Sequence, residues 1–327
     1  MRWPGALILL AALPWCDARA QSTSLSGARK EGALTLYSSG TVEDTSAITD
    51  AFEKKYGLKI RLWRGSSEDI LRRAVTEARV GRFDVDVAET AGPEMEALDR
   101  EKLLGELVSP ALADLIPQAV APHRAWVMSR LSVITSGINT NLVTAADMPG
   151  SYEDLRDRKW KGRLGIEADD VGWFLAVVET MGEEKGLGLF RDIVARNGMS
   201  VRKGHTLLAN LVAAGEVPLA LTVYGYRLAA MKKAGAPVAA VALTPVVALP
   251  TGIAVLRKAP HPNAAALFAD FFLAEGQRIL AARGNVPTNR RIQQQPPDLT
   301  LIDSKRLLDG GEKWTKLFNE TFRDQKK

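Results

Sequence analysis

From Glu31 onward the chain alternates short apolar runs with stretches in which apolar residues recur at helical spacing. That alternation is the pattern of an α/β fold with largely parallel strands. Ala33-Leu34-Thr35-Leu36-Tyr37 reads as a strand broken by Ser38-Ser39-Gly40. Ile48, Ala51, Phe52 and Tyr56 then mark one helix face from about Glu43 until Gly57 stops it. Leu58 to Trp63 is the next strand, and Ser66-Ser67-Glu68-Asp69 offers an S-x-x-D capping box for a helix running to Val80. Val85 to Ala88 is a third strand. The turns Ser38-Ser39-Gly40, Trp63-Arg64-Gly65-Ser66 and Glu89-Thr90-Ala91 therefore fall at carboxyl strand ends, the edge where open α/β sheets bind ligands.

A second series of units follows the strand Leu131 to Ile138. Ser151-Tyr152-Glu153-Asp154 is another capping box, Leu164 to Ile166 a strand, and Val171 to Met181 an apolar helix. Helical spacing returns at Leu189 to Ala195, Leu207 to Ala214 and Tyr226 to Ala234, with a strand at Val217 to Val223. Val238 to Leu243 and Leu249 to Leu256 are strand-like, the latter interrupted by Pro250 and Gly252, and Asn263 to Ala282 is helical. No Ser/Gly-rich or Pro-rich linker separates the halves, so the expected arrangement is interleaved. One discontinuous lobe takes residues 29–137 plus 251–327, and the other takes 138–250.

Composition narrows the class. A chain of 327 residues, 46% apolar and 25% charged, is long enough for two cores. Its single cysteine excludes a disulfide scaffold and any site built on several thiolates. The net charge of +5 is spread without a basic block, which argues against a nucleic-acid partner. At the start, Arg2 precedes the apolar run Ala6 to Leu13 and the small-x-small signature Ala18-Arg19-Ala20. Residues 1–20 therefore read as a cleavable signal peptide that takes Cys16 with it, and the mature chain as an exported, periplasmic monomer. A lipoprotein signal at Leu13-Pro14-Trp15-Cys16 is disfavoured by the bulky Trp15.

The candidate chemistry lies at the strand ends. No G-x-S-x-G elbow, H-E-x-x-H helix or Walker loop is present, and His123, His205 and His261 are widely spaced, so a secreted hydrolase is the weaker reading and no catalytic residue is assigned. Ser38, Ser39, Ser66 and Ser67 can orient an anion at helix N-termini, although a serine there also serves simply as a cap. Tyr224-Gly225-Tyr226 ends a strand; Gly225 permits a close backbone approach, and the two phenols point to one side if the strand runs through 226 but apart if a helix begins at 225. Both phenols, with Glu89 from the other lobe, can ligate a hard trivalent cation such as Fe(III); they can equally stack on or hydrogen-bond an organic ligand. Glu167, Asp169 and Asp170 can face a cation, though Asp169 or Asp170 is also a natural N-cap for the helix from Val171. His205 reads as a helix-start residue, and Trp63 beside Arg64 as either a stacking wall or core.

These pieces resemble the periplasmic solute-binding proteins of ABC importers, in particular the family containing the ferric-ion-binding proteins. The likeness runs from Leu34-Thr35-Leu36-Tyr37-Ser38 through Asp84-Val85-Asp86-Val87, Tyr152-Glu153-Asp154-Leu155 and Ala214-Gly215-Glu216-Val217-Pro218 to Val286-Pro287-Thr288. It implies a type 2 periplasmic-binding-protein fold, two Rossmann-like α/β lobes joined by two crossing strands and closing on a ligand. It also implies an inner-membrane permease as partner, no enzyme activity and no resident cofactor. Ferric binders of the family carry adjacent tyrosines where this chain has Tyr224-Gly225-Tyr226, and many carry a histidine where it has Thr41; Glu89 matches their acidic residue. The expected cargo is iron(III), held by Glu89, Tyr224 and Tyr226 with a synergistic anion. The alternative is a small organic or oxyanion solute held by Ser38, Ser39, Thr41, Trp63, Ser66, Ser67, Asp169 and the tyrosines.

Overall fold

The computed structural model describes residues 25–293 and 299–324; the signal peptide expected over 1–20 lies outside them. In chain order the first elements are β1 (Ala33–Ser38), α1 (Val42–Tyr56), β2 (Lys59–Arg64), α2 (Ser67–Arg79), β3 (Val87–Ala91) and α3 (Gly92–Arg100). After the long strand β4 (Val127–Asn139) come β5 (Leu164–Glu167), α4 (Val171–Met181), α5 (Glu183–Asn197), β6 (Ser200–Arg202) and α6 (His205–Ala214). Next are β7 (Leu219–Tyr224), α7 (Gly225–Lys233), β8 (Val238–Val241) and β9 (Val246–Val255). The chain ends through α8 (Pro262–Phe271), a π-helical turn Phe272–Gly276, α9 (Gln277–Ala282), β10 (Val286–Pro287), β11 (Leu299–Leu301) and α10 (Ser304–Phe322).

Local chemistry sets several of these boundaries. Thr41 caps α1 through its hydroxyl, and Gly57 ends the helix in the left-handed region at φ 72°. Ser66 and Asp69 form the reciprocal capping box read from the sequence. The Ser151/Asp154 box is also formed, but it opens a 3₁₀ turn.

The sheet order is β2-β1-β3-β9-β4-β7-β5-β6. β1 pairs in parallel with β2 and β3, as β5 does with β6 and β7. Between these parallel sets, β4 and β9 run antiparallel to each other from Val127↔Ile253 to Ile134↔Val247. β9 then joins β3 over residues 251–255, while β4 continues onto β7 and β8. Pro250 is tolerated because it falls between the stretch of β9 that pairs with β11 (246–248) and the stretch that pairs with β3, so no ladder bond needs its missing N–H.

Separate cores lie on either side of the crossing strands. Leu34, Leu36, Ile48, Phe52 and Phe268 anchor one, and Trp160, Trp173, Phe174 and Phe190 anchor the other. The sequence grouped the C-terminal tail with the first lobe. Trp314, Phe318 and Phe322 of α10 pack instead into the second core, against Phe174 and Phe190, while the start of the helix rests on α3. β3 also differs from expectation: it runs to Ala91, because pairing with β9 holds Glu89, Thr90 and Ala91 in extended form where a turn was expected. No described helix is long and apolar enough to cross a membrane.

Candidate functional site

The carboxyl ends of β1, β2, β3 and β7 converge on a cavity of 190 Å³ whose floor is the crossing pair β4 and β9. One wall carries Ser39, Gly40 and Thr41 from the β1–α1 loop, Ser66 and Ser67 at the start of α2, and Ala91 at the start of α3. The facing wall carries Tyr224 and Tyr226 at the start of α7. Arg130 and Ser132 project from β4, and Leu249 and Thr251 from β9, each pair separated by two residues and so on one face of its strand.

Four helix N-termini therefore meet here, those of α1, α2, α3 and α7. Ala91 and Tyr224 make no side-chain cap; Pro93 removes one donor from the first turn of α3, whereas the first turn of α7 keeps its backbone donors for a ligand. The loop that brings in Ser39 and Gly40 is held rigidly. Ser39 N–H donates to Glu89 O at 2.9 Å, Gly40 N–H to Ser38 Oγ at 3.0 Å, and the Arg64 guanidinium donates to Gly40 O at 2.8 and 2.5 Å.

Behind the floor lies a buried polar unit. Arg130 Nη2 stands 2.8 Å from Glu89 Oε1, and Ser38 Oγ donates to Glu89 Oε2 at 2.5 Å. Their side chains are almost wholly removed from water, so the guanidinium is fixed in direction by its partner and presents its remaining donors to the cavity. Asp44 is also engaged, by Arg283 and by Asn285 Nδ2 at 3.1 Å, which holds the segment before β10 over the rim. Gly284 there has φ 89°, a left-handed backbone that favours glycine, and it lies against Tyr226 at ordinary contact distance.

The two phenol rings are stacked, centroids 5.5 Å apart and planes 14° apart, although α7 does begin at Gly225. The helix from Gly225 does not send the rings apart, because Tyr224 is the extended cap residue and Tyr226 sits in the first helical turn, where the ring swings back over its neighbour. Within the protein a Cβ on Gly225 would meet nothing nearer than Thr135 Cγ2 at 3.7 Å. Burial raises both phenol pKa values, with the Asp170 carboxylate adding to the effect at Tyr224 and Arg130 opposing it at Tyr226. Both phenols are protonated at neutral pH. The His205 ring lies against Tyr224 with centroids 4.0 Å apart.

Of the residues singled out in the sequence, Ser39, Thr41, Ser66, Ser67, Tyr224 and Tyr226 line the cavity. Four do not. Ser38 and Glu89 are turned inward to each other and to Arg130. Trp63 packs on Tyr37 at 5.1 Å with the Arg73 guanidinium 4.5 Å from its ring, on the strand face opposite Arg64. Asp169 pairs with Arg323 and Lys203 at the surface, while Asp170, which occupies the N-cap position of α4 without capping it, turns toward His205. Arg130, Asp44, Ser132, Thr251 and Asn285 were missed. A lone arginine inside the apolar run 127–138 was a readable signal, since an unpaired charge there is untenable. The others carry no local signature.

A family model described as bacterial extracellular solute-binding protein matches residues 34–285. The Fe(3+)-binding periplasmic protein of Serratia marcescens is 25% identical over 196 residues, covering 59% of this chain and 57% of that protein. Iron-bound HitA of Pseudomonas aeruginosa superposes with a TM-score of 0.75 at 23% identity, covering 88% of this chain and 99% of the other. The fructose-6-phosphate-bound AfuA of Actinobacillus pleuropneumoniae gives 0.73 at 21% identity over 90% and 100%. These superpositions, with the sheet order above, identify the architecture as the type 2 periplasmic-binding-protein fold, two α/β lobes joined by two crossing strands.

Proposed function

Because the chain belongs to the bacterial extracellular solute-binding protein family, we propose that it is the periplasmic cargo-binding component of an ABC importer and carries iron(III) together with an oxyanion. The observation that carries this reading is the placement of the stacked Tyr224 and Tyr226 across one cavity from the helix N-termini and Arg130. Two phenolates supply the hard oxygen donors that ferric ion prefers. The oxyanion, held by the amides of the opposite wall and by Arg130, fills the coordination that protein side chains leave open. Glu89 is withdrawn from the metal donors because it already serves Ser38 and Arg130. That relatives are described as ferric binders supports the same cargo.

The lobes, 29–137 plus most of 251–327 against 138–250, close by bending β4 and β9, and the closed monomer is the form an inner-membrane permease receives. Residues 1–20 direct export and are then cleaved off, and the site turns over no substrate.

Ferric citrate added to metal-stripped protein tests the reading. A tyrosinate-to-iron charge-transfer band is expected, weakened at least tenfold in apparent affinity by Tyr224→Phe or Tyr226→Phe and abolished by both. Absence of the band in the unaltered protein sinks the iron assignment. One observation favours a second reading, a free oxyanion or organic phosphate: four helix N-termini and Arg130 line the cavity, whereas its one lining carboxylate, Asp44, is already paired. Stabilisation by phosphate or a sugar phosphate without any ferric band would select it.

A further inference from the structure

Behind Tyr224, outside the cavity, three polar side chains meet at the carboxyl edge of the second lobe. Glu167 ends β5, Asp170 precedes α4, and His205 opens α6. One ligating atom from each lies within 4.8 Å of the others. Glu167 is 4% exposed and Asp170 7%. Asp170 Oδ1 stands 3.3 Å from His205 Nε2, and the Thr222 backbone lies within reach of the ring, but Asp170 Oδ2 is buried with no hydrogen-bond partner. Of the cations on this edge, Lys203 and Arg323 are taken by Asp169, and Arg202, the register partner of Glu167 on β6, is exposed.

This leaves an electrostatic imbalance. Even with the imidazole protonated, two buried carboxylates face one positive charge, and an uncompensated buried charge costs several kcal/mol, on the order of that for breaking a buried ion pair. The donors are also preset. Glu167 Oε1 accepts Gly204 N–H at 2.7 Å and Oε2 accepts Asp169 N–H at 2.5 Å, so its carboxylate is oriented by backbone while each oxygen keeps a second lone pair.

We propose that Glu167, Asp170 and His205 form a binding site for a divalent transition-metal ion of the zinc class, distinct from the cargo cavity and backing onto Tyr224. One imidazole nitrogen and two carboxylates are a donor set that such ions accept, with water completing the shell. Ligands about 2.0 to 2.2 Å from a tetrahedral ion lie roughly 3.3 to 3.6 Å from one another. The Asp170–His205 contact already has that spacing, and the widest gap closes with a shift of about 1 Å. A resident cation would satisfy the orphaned Asp170 oxygen and tie the ends of β5, α4 and α6 together under one wall of the cleft.

The full mature chain, stripped with chelator, is titrated with Zn²⁺ by calorimetry and with Co²⁺ by visible absorption. One equivalent per chain is expected, with cobalt d–d bands, a zinc-dependent rise in Tm, and affinity weakened at least tenfold in His205→Gln and in Asp170→Asn. Tyr226→Phe, which alters only the cavity, is expected to bind zinc as the unaltered protein does. Failure of the unaltered chain to take up either metal stoichiometrically overturns the site, whatever the variants do. So does retention of the metal in both His205→Gln and Asp170→Asn with loss in Tyr226→Phe, which would place the ion in the cleft. Neither readout involves iron, so failure of the cargo assignment and failure of this site are separable.

Discussion

The two walls of the cleft are made differently. On the β1–β3 side most polar groups are tied to a neighbour: Thr41 and Ser66 cap helices, Ser67 Oγ accepts Ala91 N–H at 3.4 Å, Ser38 donates to Glu89 and the Arg130 charge faces it, although Glu89 Oε1 and Thr90 Oγ1 are buried without a hydrogen bond. On the β5–β7 side the polar groups are unfinished. The phenols have raised pKa values, Asp170 keeps an orphaned oxygen, and the rings stack on one another without fixed partners for their hydroxyls. The first wall is a rigid frame of amide donors suited to an anion. The second holds oxygen and nitrogen donors awaiting a cation, and its stability is correspondingly open to improvement by what it binds.

The strongest challenge to that contrast is Arg130→Ala. If the first wall rests on internal pairing, loss of the guanidinium strands Glu89 without charge compensation and costs about 3 to 5 kcal/mol in urea unfolding. It also removes stabilisation by phosphate. A loss below about 1 kcal/mol would mean that Glu89 reaches solvent and that the frame is looser than its contacts imply.

Glu94, in the first turn of α3 behind the same wall, sharpens the comparison. Its Oε2 is buried without a partner, and burial raises the carboxyl pKa to about 7, with the charge of Glu68 adding to the shift. The folded state then binds more protons than the unfolded chain between the ordinary carboxylate pKa, near 4.5, and about 7, so stability falls as pH rises through that window. Over the whole window the loss is about 3 kcal/mol at most. Glu94→Gln should flatten this part of the stability–pH curve and be the more stable protein at pH 8. An unchanged slope would show that water reaches the carboxylate.

The smallest expected effect is at Ser66. Ser66→Ala removes a capping bond and should lower stability by about 1 kcal/mol in denaturant titration. Because backbone amides do the anion holding in the first wall, phosphate affinity should fall by less than about threefold, close to what loss of one weak hydrogen bond gives. A tenfold or larger fall would make the hydroxyl itself a ligand.

What could be read from the chain follows from how local each feature is. The capping box at Ser66, the stop at Gly57 and the apolar faces of α1 and α2 are written within a few residues, and they were legible. Glu89 was read in a turn because β3 is lengthened by pairing with β9, a partner about 160 residues away in the chain. Arg130 acquires its meaning only from Glu89, and Asp44 only from Arg283 and Asn285. The choice between Asp169 and Asp170 is decided by one step of backbone direction, which adjacent identical residues cannot announce. The stacking of Tyr224 and Tyr226 depends on how the chain turns from extended cap into helix, and spacing alone left the direction of the two rings open.

The C-terminal helix α10 touches both halves of this arrangement. Asp309 pairs with Arg100 of α3, whereas Lys313 reaches Glu183 and Trp314, Phe318 and Phe322 are set in the second core. Between Asp309 and Lys313 lie Gly310 and Gly311, each about 1 kcal/mol weaker than alanine within a helix. The helix is thus a clasp with its weakest turn at the seam. Its aromatic end remains anchored while its leading turns can let go of α3, so a pair of dyes on Arg100→Cys and Asp309→Cys would report opening from the back of the molecule, far from whatever fills the cleft.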